Sequence, residues 1–130
     1  MSQLLSVTDL CKSFAGESVV KSVSFELNES STLGIVGESG SGKTTLVRSI
    51  LRAIEPDSGT VRYNSREGWH DLHSLSPKEL LPLRREIQMI FQDPFASLNP
   101  RMTVQTILEE PLIIHGIGDK ESRKQQVAKM

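Results

Sequence analysis

A single cysteine, Cys11, is all the thiol chemistry the chain carries. One cysteine excludes an internal disulfide and fits a reducing compartment. The start, MSQLLSVTDL, has neither the basic nor the long apolar region of a secretory signal. Unbroken apolar runs stop after a few residues, far short of the roughly twenty that a membrane helix needs. Direct membrane insertion is therefore not expected, and any membrane association would come through a partner. Charge of one sign is also lacking: 15 Lys and Arg face 16 Asp and Glu, for a net charge of -1. This balance gives no indication of a nucleic-acid partner or of an acidic solvating tail. No internal repeat or low-complexity tract is present. At 130 residues the chain is within one-domain range, and a chain of that size buries roughly two-thirds of its unfolded surface.

Against these absences stands a clear change of period along the chain. Residues 4 to 10 read as a strand, with Leu5 and Val7 in alternation. In VKSVSFELN, Val23, Phe25 and Leu27 alternate with Ser22, Ser24, Glu26 and Asn28, the pattern of a half-buried antiparallel strand. After a polar turn from Asn28 to Ser31, TLGIVG is short and nearly all apolar, like a strand buried on both faces of a parallel sheet. TTLVRSILRAI then sets Leu46, Val47, Ile50, Leu51 and Ile54 at helical spacing, with Thr45, Arg48, Ser49 and Arg52 opposite. Pro56 is expected to end this helix. A PDSG turn and a short TVRYN strand follow.

Residues 64 to 75 read as a loop. Its Trp69, His70 and His73 have no further ligand at metal-site spacing and are not taken as a metal site. SPKELL opens a helix, with Ser76 as cap, Pro77 in the first turn and Glu79 at the capping-box position. Pro82 should keep it short. IQMIF reads as a second buried strand and QDPFASLNPRMTV as a loop. VQTILEEPLII is expected to be helical to about Glu110, and Asp119 to cap a last helix.

Between the TLGIVG strand and the first helix lies Gly37-x-x-x-x-Gly42-Lys43-Thr44, a match to G-x-x-x-x-G-K-[ST]. Clustered phosphate oxygens need clustered donors. Glycines let the backbone curl so that successive N–H groups point inward. The following helix adds free N–H groups and a positive dipole end. Lys43 supplies a full charge to the outer phosphates, and the Thr44 hydroxyl is placed to ligate Mg²⁺. With Gly at about 7% of residues, a chance match is on the order of a few per thousand. A flexible Gly/Ser linker is the competing reading. It fails because apolar elements press on both sides of the loop. By itself the loop leaves transporter ATPases, small-molecule kinases, GTPases and helicases open.

GIVGESGSGKTTL followed by IQMIFQDPFASLNPRMTV resembles the nucleotide-binding subunit of ABC transporters. The second stretch resembles the Q-loop region of importers for peptides, nickel and related small solutes. The resemblance runs from residue 4 to the C-terminus. It implies an α/β fold: a P-loop NTPase core with parallel strands and an N-terminal antiparallel β subdomain. Residues 1–130 would be the N-terminal portion of the domain, from the P-loop through the Q-loop to the start of the helical region. It implies ATP and Mg²⁺ as cofactors. Phe14 would stack on the adenine ring. Gly37, Glu38, Ser39, Gly40, Ser41, Gly42, Lys43, Thr44 and Thr45 would cradle the phosphates. Thr44 and Gln92 would reach the Mg²⁺, with Lys43 and Gln92 as the catalytic pair and Gln92 also reaching the attacking water. Residues 95 to 115 would face a membrane-spanning permease subunit. A second ATP-binding subunit would complete the assembly at the inner face of the cell membrane.

The sequence departs from the family pattern in three places. The turn before the P-loop strand is NESST, where the family usually has a glycine beside an acidic residue. The stretch between Tyr63 and Leu75 is slightly longer than usual. The third departure concerns three elements of ABC ATPases that follow the Q-loop: an L-S-G-G-Q-type stretch, an apolar strand ending in Asp-Glu, and a switch histidine. None is found: no S-G-G occurs, Asp93 fits the Q-loop better than an acidic strand, and His115 comes too early. Little or no ATPase activity is therefore expected of the chain alone. Two other readings compete with an importer ATPase. One is a binding module that holds ATP or docks on a partner without turnover. The other is a compact P-loop kinase, for which Arg84 and Arg85 are the only paired lid candidates.

Overall fold

The computed structural model describes residues 2–93 and 97–130. They fall into two units, Met1–Gln88 and Met89–Met130.

In the first unit, β1 (Gln3–Phe14) and β2 (Glu17–Asn28) form an antiparallel hairpin. Its two-residue turn, Ala15-Gly16, takes positive φ at both positions (49° and 84°), which matches the right-handed twist of the flanking strands. The alternation of β2 holds, with Val23, Phe25 and Leu27 partly buried between exposed neighbours. After α1 (Lys43–Ile50), strand β3 (Ser58–Ser65) pairs antiparallel with the other edge of β1, and β4 (Gly68–Asp71) with β3. The sheet order is β2-β1-β3-β4. Helix α2 (Pro77–Leu83) follows. Val7, Leu10, Val20, Val61 and Tyr63 of the sheet form one core with Leu46 and Ile50 of α1, Leu72, and Leu80 and Leu83 of α2. The Tyr63 hydroxyl donates to Glu86 Oε2 (3.1 Å). Burial, then the Glu86 carboxylate, pushes its pKa up.

In the second unit, α3 (Val104–Ile114) and α4 (Lys120–Lys129) pack against each other. None of the described helices is long and apolar enough to cross a membrane.

Several expectations need correction. Residues 64 to 75 are not all loop: Gly68–Asp71 is a strand, and its side chains are used locally. Arg62 lies over the Trp69 ring (5.2 Å), His70 Nε2 bonds Ser65 Oγ (2.9 Å), and His73 Nε2 bonds the Ser49 carbonyl (2.9 Å). Ser49, assigned to the polar face of the first helix, is fully buried. It sits three residues after Leu46 and one before Ile50, so helical geometry turns it toward the core. Among the described residues the sheet is wholly antiparallel. The runs expected as parallel strands, residues 32–37 and 87–91, have no ladder partner. Val36 is 95% and Ile90 96% exposed. An apolar run specifies a need for burial on both faces, but only a neighbouring strand supplies the hydrogen bonds that make it a parallel strand.

Helix ends also fell elsewhere than expected. The first helix stops well before Pro56, in a Schellman motif: Arg52 N–H donates to the Ser49 carbonyl (3.1 Å) and Ala53 N–H to that of Arg48 (2.8 Å). Arg52 takes the left-handed position (φ 52°) usually given to glycine, at a cost of about 1–2 kcal/mol. Its guanidinium offsets this by bonding the Leu72 and Leu75 carbonyls and Glu55. Helix α3 runs through Pro111 to Ile114, rather than stopping near Glu110. Proline there removes one internal hydrogen bond. The stop comes instead from Gly116 (φ 62°), with Gly116 N–H to the Ile113 carbonyl (3.0 Å) and Ile117 N–H to that of Leu112 (2.8 Å).

Replacing Gly116 by Ala leaves room for the methyl group, since nothing lies within 4 Å of an added Cβ. The cost is then purely that of the backbone, about 1 kcal/mol. Hydrogen exchange should accelerate at the Gly116 and Ile117 amides and leave the first unit unchanged.

A second prediction concerns pH. Ser76 and Glu79 form a reciprocal capping box at the start of α2. The Ser76 hydroxyl and then its backbone N–H hold the Glu79 carboxyl below its ordinary pKa. The resulting stabilisation is present above the ordinary carboxylate value and is lost as pH falls through the depressed one. Circular dichroism on acid titration should show the helix signal of Ser76→Ala changing less than that of the unmodified chain.

Candidate nucleotide-phosphate site

The glycine-rich stretch folds as a tight loop leading into α1. Ser41 N–H donates to the Glu38 carbonyl (3.2 Å), and Leu46 N–H to that of Gly42 (2.8 Å), which opens the helix. The N-cap is Gly42, in the left-handed region at φ 91°, and there is no side-chain cap. No acidic residue sits in the first turn. Among the described residues the other three helices differ: Ser76, Thr103 and Asp119 each accept a first-turn N–H through a side-chain oxygen. At α1 the amides of Lys43, Thr44 and Thr45 therefore have no intrahelical acceptor and no capping oxygen. They form a cluster of donors at the positive end of the helix dipole.

Lys43 bends back over the loop. Its ammonium donates to the carbonyls of Gly37 (2.8 Å) and Glu38 (2.6 Å) and lies 3.4 Å from Ser41 Oγ. A full positive charge is thus fixed on the carbonyls of the loop that leads into α1.

Gly42 is needed for a second reason besides its φ. A Cβ there would lie 2.7 Å from the Val19 carbonyl oxygen and 2.9 Å from Val19 Cγ1. The start of β2 is pressed against the loop, and together they wall a cavity of about 550 Å³. Its lining includes Glu17, Val19, Val20, Gly37, Gly42 and Lys43. This wall from β2 was not among the residues picked out from the sequence. The only trace is the Val19-Val20 pair, which breaks the alternation of the strand.

The residues picked out for the phosphates, Gly37 to Thr45, are brought together in this one loop and helix start. Thr44 is exposed at the second helical position. Phe14 ends β1, paired with Glu17, the first residue of the cavity wall. It is 46% exposed and so is not a core aromatic, and Lys12 Nζ lies over its ring at 5.4 Å. Gln92 belongs to the second unit, in an exposed irregular stretch. Of the segment assigned to a permease subunit, residues 95 and 96 lie outside the described residues. No group of three or more His, Cys, Asp or Glu suited to a metal occurs among the described residues. The loop supplies a threonine hydroxyl instead, which fits a hard cation already carried by phosphate oxygens.

A strand hairpin beside a glycine loop, an uncapped helix and an inward lysine define a P-loop nucleotide-binding domain. The sequence model of the ABC transporter family matches residues 20–130. The chain belongs to that family. It is 46% identical over 130 residues to a protein of Brucella ovis provisionally named a peptide import ATP-binding protein, covering 97% of this chain and 40% of that protein. It is 48% identical over 109 residues to the glutathione import ATP-binding protein GsiA of Salmonella paratyphi A, covering 84% of this chain and 17% of that one. Among solved structures it matches a dimeric ATP-binding cassette in a post-hydrolysis state bound to ADP and Pi. That match has a TM-score of 0.73 at 25% identity and covers 97% of this chain and 55% of the cassette. The α/β cassette expected from the sequence is therefore the fold, although its parallel strands are not laddered among the described residues. The chain spans about 40% of the length of the Brucella relative.

The two glycines of the loop separate backbone strain from steric contact. Gly40→Ala meets nothing within 4 Å and bears only the left-handed backbone penalty at φ 79°, about 1–2 kcal/mol. Gly42→Ala adds a clash with the Val19 backbone, so its total cost should be at least about 2 kcal/mol. Urea unfolding of the two variants should rank them in that order.

Proposed function

We propose that this chain is the N-terminal portion, residues 1–130, of the ATP-binding subunit of an ABC importer, serving uptake of peptides or a related small solute. The observation that carries the proposal is the Lys43 ammonium, held on the Gly37 and Glu38 carbonyls of the loop that leads into the uncapped start of α1. Fixed donors around a fixed charge are what polyphosphate needs, because little reorganisation is then required on binding. The names of the relatives support peptide or glutathione import as the process served.

In this reading Gly37, Glu38, Ser39, Gly40, Ser41, Gly42, Lys43, Thr44 and Thr45 hold the phosphates of ATP. Lys43 keeps its loop carbonyls and turns its remaining N–H from Ser41 Oγ to a phosphate oxygen. Thr44 contributes a hydroxyl to Mg²⁺, and Gln92 reaches the same ion and orients a water. Mg²⁺, when bound, neutralises charge developing on the phosphate oxygens. Phe14 stacks against adenine. Permease subunits and a second ATP-binding subunit complete the assembly, peripheral to the inner face of the cell membrane. Hydrolysis belongs to that assembly, and the chain alone is inactive or nearly so.

One observation favours the second reading, nucleotide binding without turnover, for the chain by itself. Residues 32–37 and 87–91 carry no ladder among the described residues. A loop held on unpaired strands still binds phosphate, but in-line attack requires fixed positions for metal and water as well.

Calorimetric titration with Mg-ATP should show saturable binding that is lost in Lys43→Ala. Phosphate release by the chain should not exceed that of Lys43→Ala. Equal binding by both proteins would sink the phosphate-site reading. Turnover clearly above the variant would sink the inactivity.

A further inference from the structure

Asp57, in the PDSG turn, reaches across to the last residues of β1 by three separate bonds. Its N–H donates to the Cys11 carbonyl (2.9 Å). Its Oδ1 accepts from Lys12 Nζ (2.8 Å), and its Oδ2 accepts from Ser13 N–H (2.6 Å). The next residue is Phe14, whose ring carries the Lys12 ammonium 5.4 Å from its centroid. The Lys12 side chain is only 16% exposed, against 44% for Asp57. The cation is thus tucked between a carboxylate and an aromatic face rather than free in solvent. The Asp57 carboxyl is held below its ordinary pKa by the Lys12 bond first and the Ser13 N–H next, so it is ionised at neutral pH.

We propose that Asp57 is a positioning residue for nucleotide-base recognition: it pins Cys11 to Ser13 and seats the Lys12 ammonium on one face of Phe14, leaving the other face to stack on a purine. The inference deepens the proposed function and rests on it. The chemistry is that of a cation on an aromatic quadrupole. Lys12 draws electron density from one face of the ring, and this favours stacking of an electron-rich purine on the other. Fixing the strand end also removes the cost of ordering Phe14 when the base arrives. The turn between Phe14 and Glu17 continues into the cavity wall beside the loop. A nucleotide with its phosphates over Lys43 would therefore have its base at this hairpin end. Asp57 touches neither base nor phosphate and acts only through Lys12 and Ser13.

The test compares two probes on the same chain, Mg-ATP and Mg-tripolyphosphate, by calorimetric titration. Tripolyphosphate engages the loop but has no base. Removing the seat of the stacking residue should cost a fraction of the roughly five- to 150-fold that a stacked base contributes. Asp57→Ala should therefore weaken ATP about three- to tenfold and leave tripolyphosphate within about twofold. Asp57→Asn keeps an acceptor for Ser13 N–H and should fall between. In a Phe14→Ala background the Asp57→Ala change should have no further effect on ATP. Thermal unfolding of each variant establishes that it is folded. Equal losses for both probes would assign Asp57 to general support of the site and overturn the inference, as would no loss for either. Failure of the unmodified chain to bind tripolyphosphate, or binding equal to that of Lys43→Ala, would instead remove the phosphate-site reading and the inference with it.

Discussion

The close approach of Gly42 to the Val19 carbonyl is the constraint on which the site depends. Because a Cβ at residue 42 would come within 2.7 Å of that oxygen, only glycine lets the start of α1 seat against β2. That seating does three things. It sets the helix N-terminus beside the sheet, it makes β2 a wall of the cavity, and it leaves the N-cap without a side chain. The last follows from the first: a residue small enough to fit is also one that cannot cap. The free amides of Lys43 to Thr45 are thus a consequence of packing, and Lys43 adds a full charge on the loop before them.

The other end of α1 is secured by different means. Arg52 adopts a backbone conformation that favours glycine, and its side chain binds the Leu72 and Leu75 carbonyls. His73 reaches the Ser49 carbonyl from the same segment. The helix that opens with these free amides is thereby tied at its C-terminal end to the residues between β4 and α2. It is tied at its N-terminal end to β2. A short helix of eight residues would be marginal on propensity alone. Its position comes from Leu46, Ser49 and Ile50 in the core and from these end contacts.

Parts of the local structure were legible beforehand. The glycine and lysine spacing of the loop, the alternation of β2 and the helix after the loop all follow from local rules. So do the caps at Ser76 and Asp119. The contact of Val19 with Gly42 and the bonds of Asp57 to Lys12 and Ser13 were not legible. Each joins residues distant in sequence, 45 apart for Lys12 and Asp57. The burial of Ser49 was a misjudged face of a correctly placed helix. The expected parallel strands mark the opposite failure. TLGIVG and IQMIF have the composition of buried strands, yet composition cannot name the neighbour that would complete the ladder.

What the sequence determined by itself is therefore local: a glycine-rich loop with its lysine, the alternation of β2 and the helix starts. These depend on backbone freedom and on spacing within about one turn or one strand, which neighbouring residues decide among themselves. What only the tertiary structure decided is which surfaces meet. It set β2 against Gly42, closed α1 at Arg52 rather than Pro56, and brought Asp57 to the end of β1 beside Phe14. Such contacts depend on the loss of chain entropy being offset by burial summed over the whole core, a balance no short stretch of sequence contains.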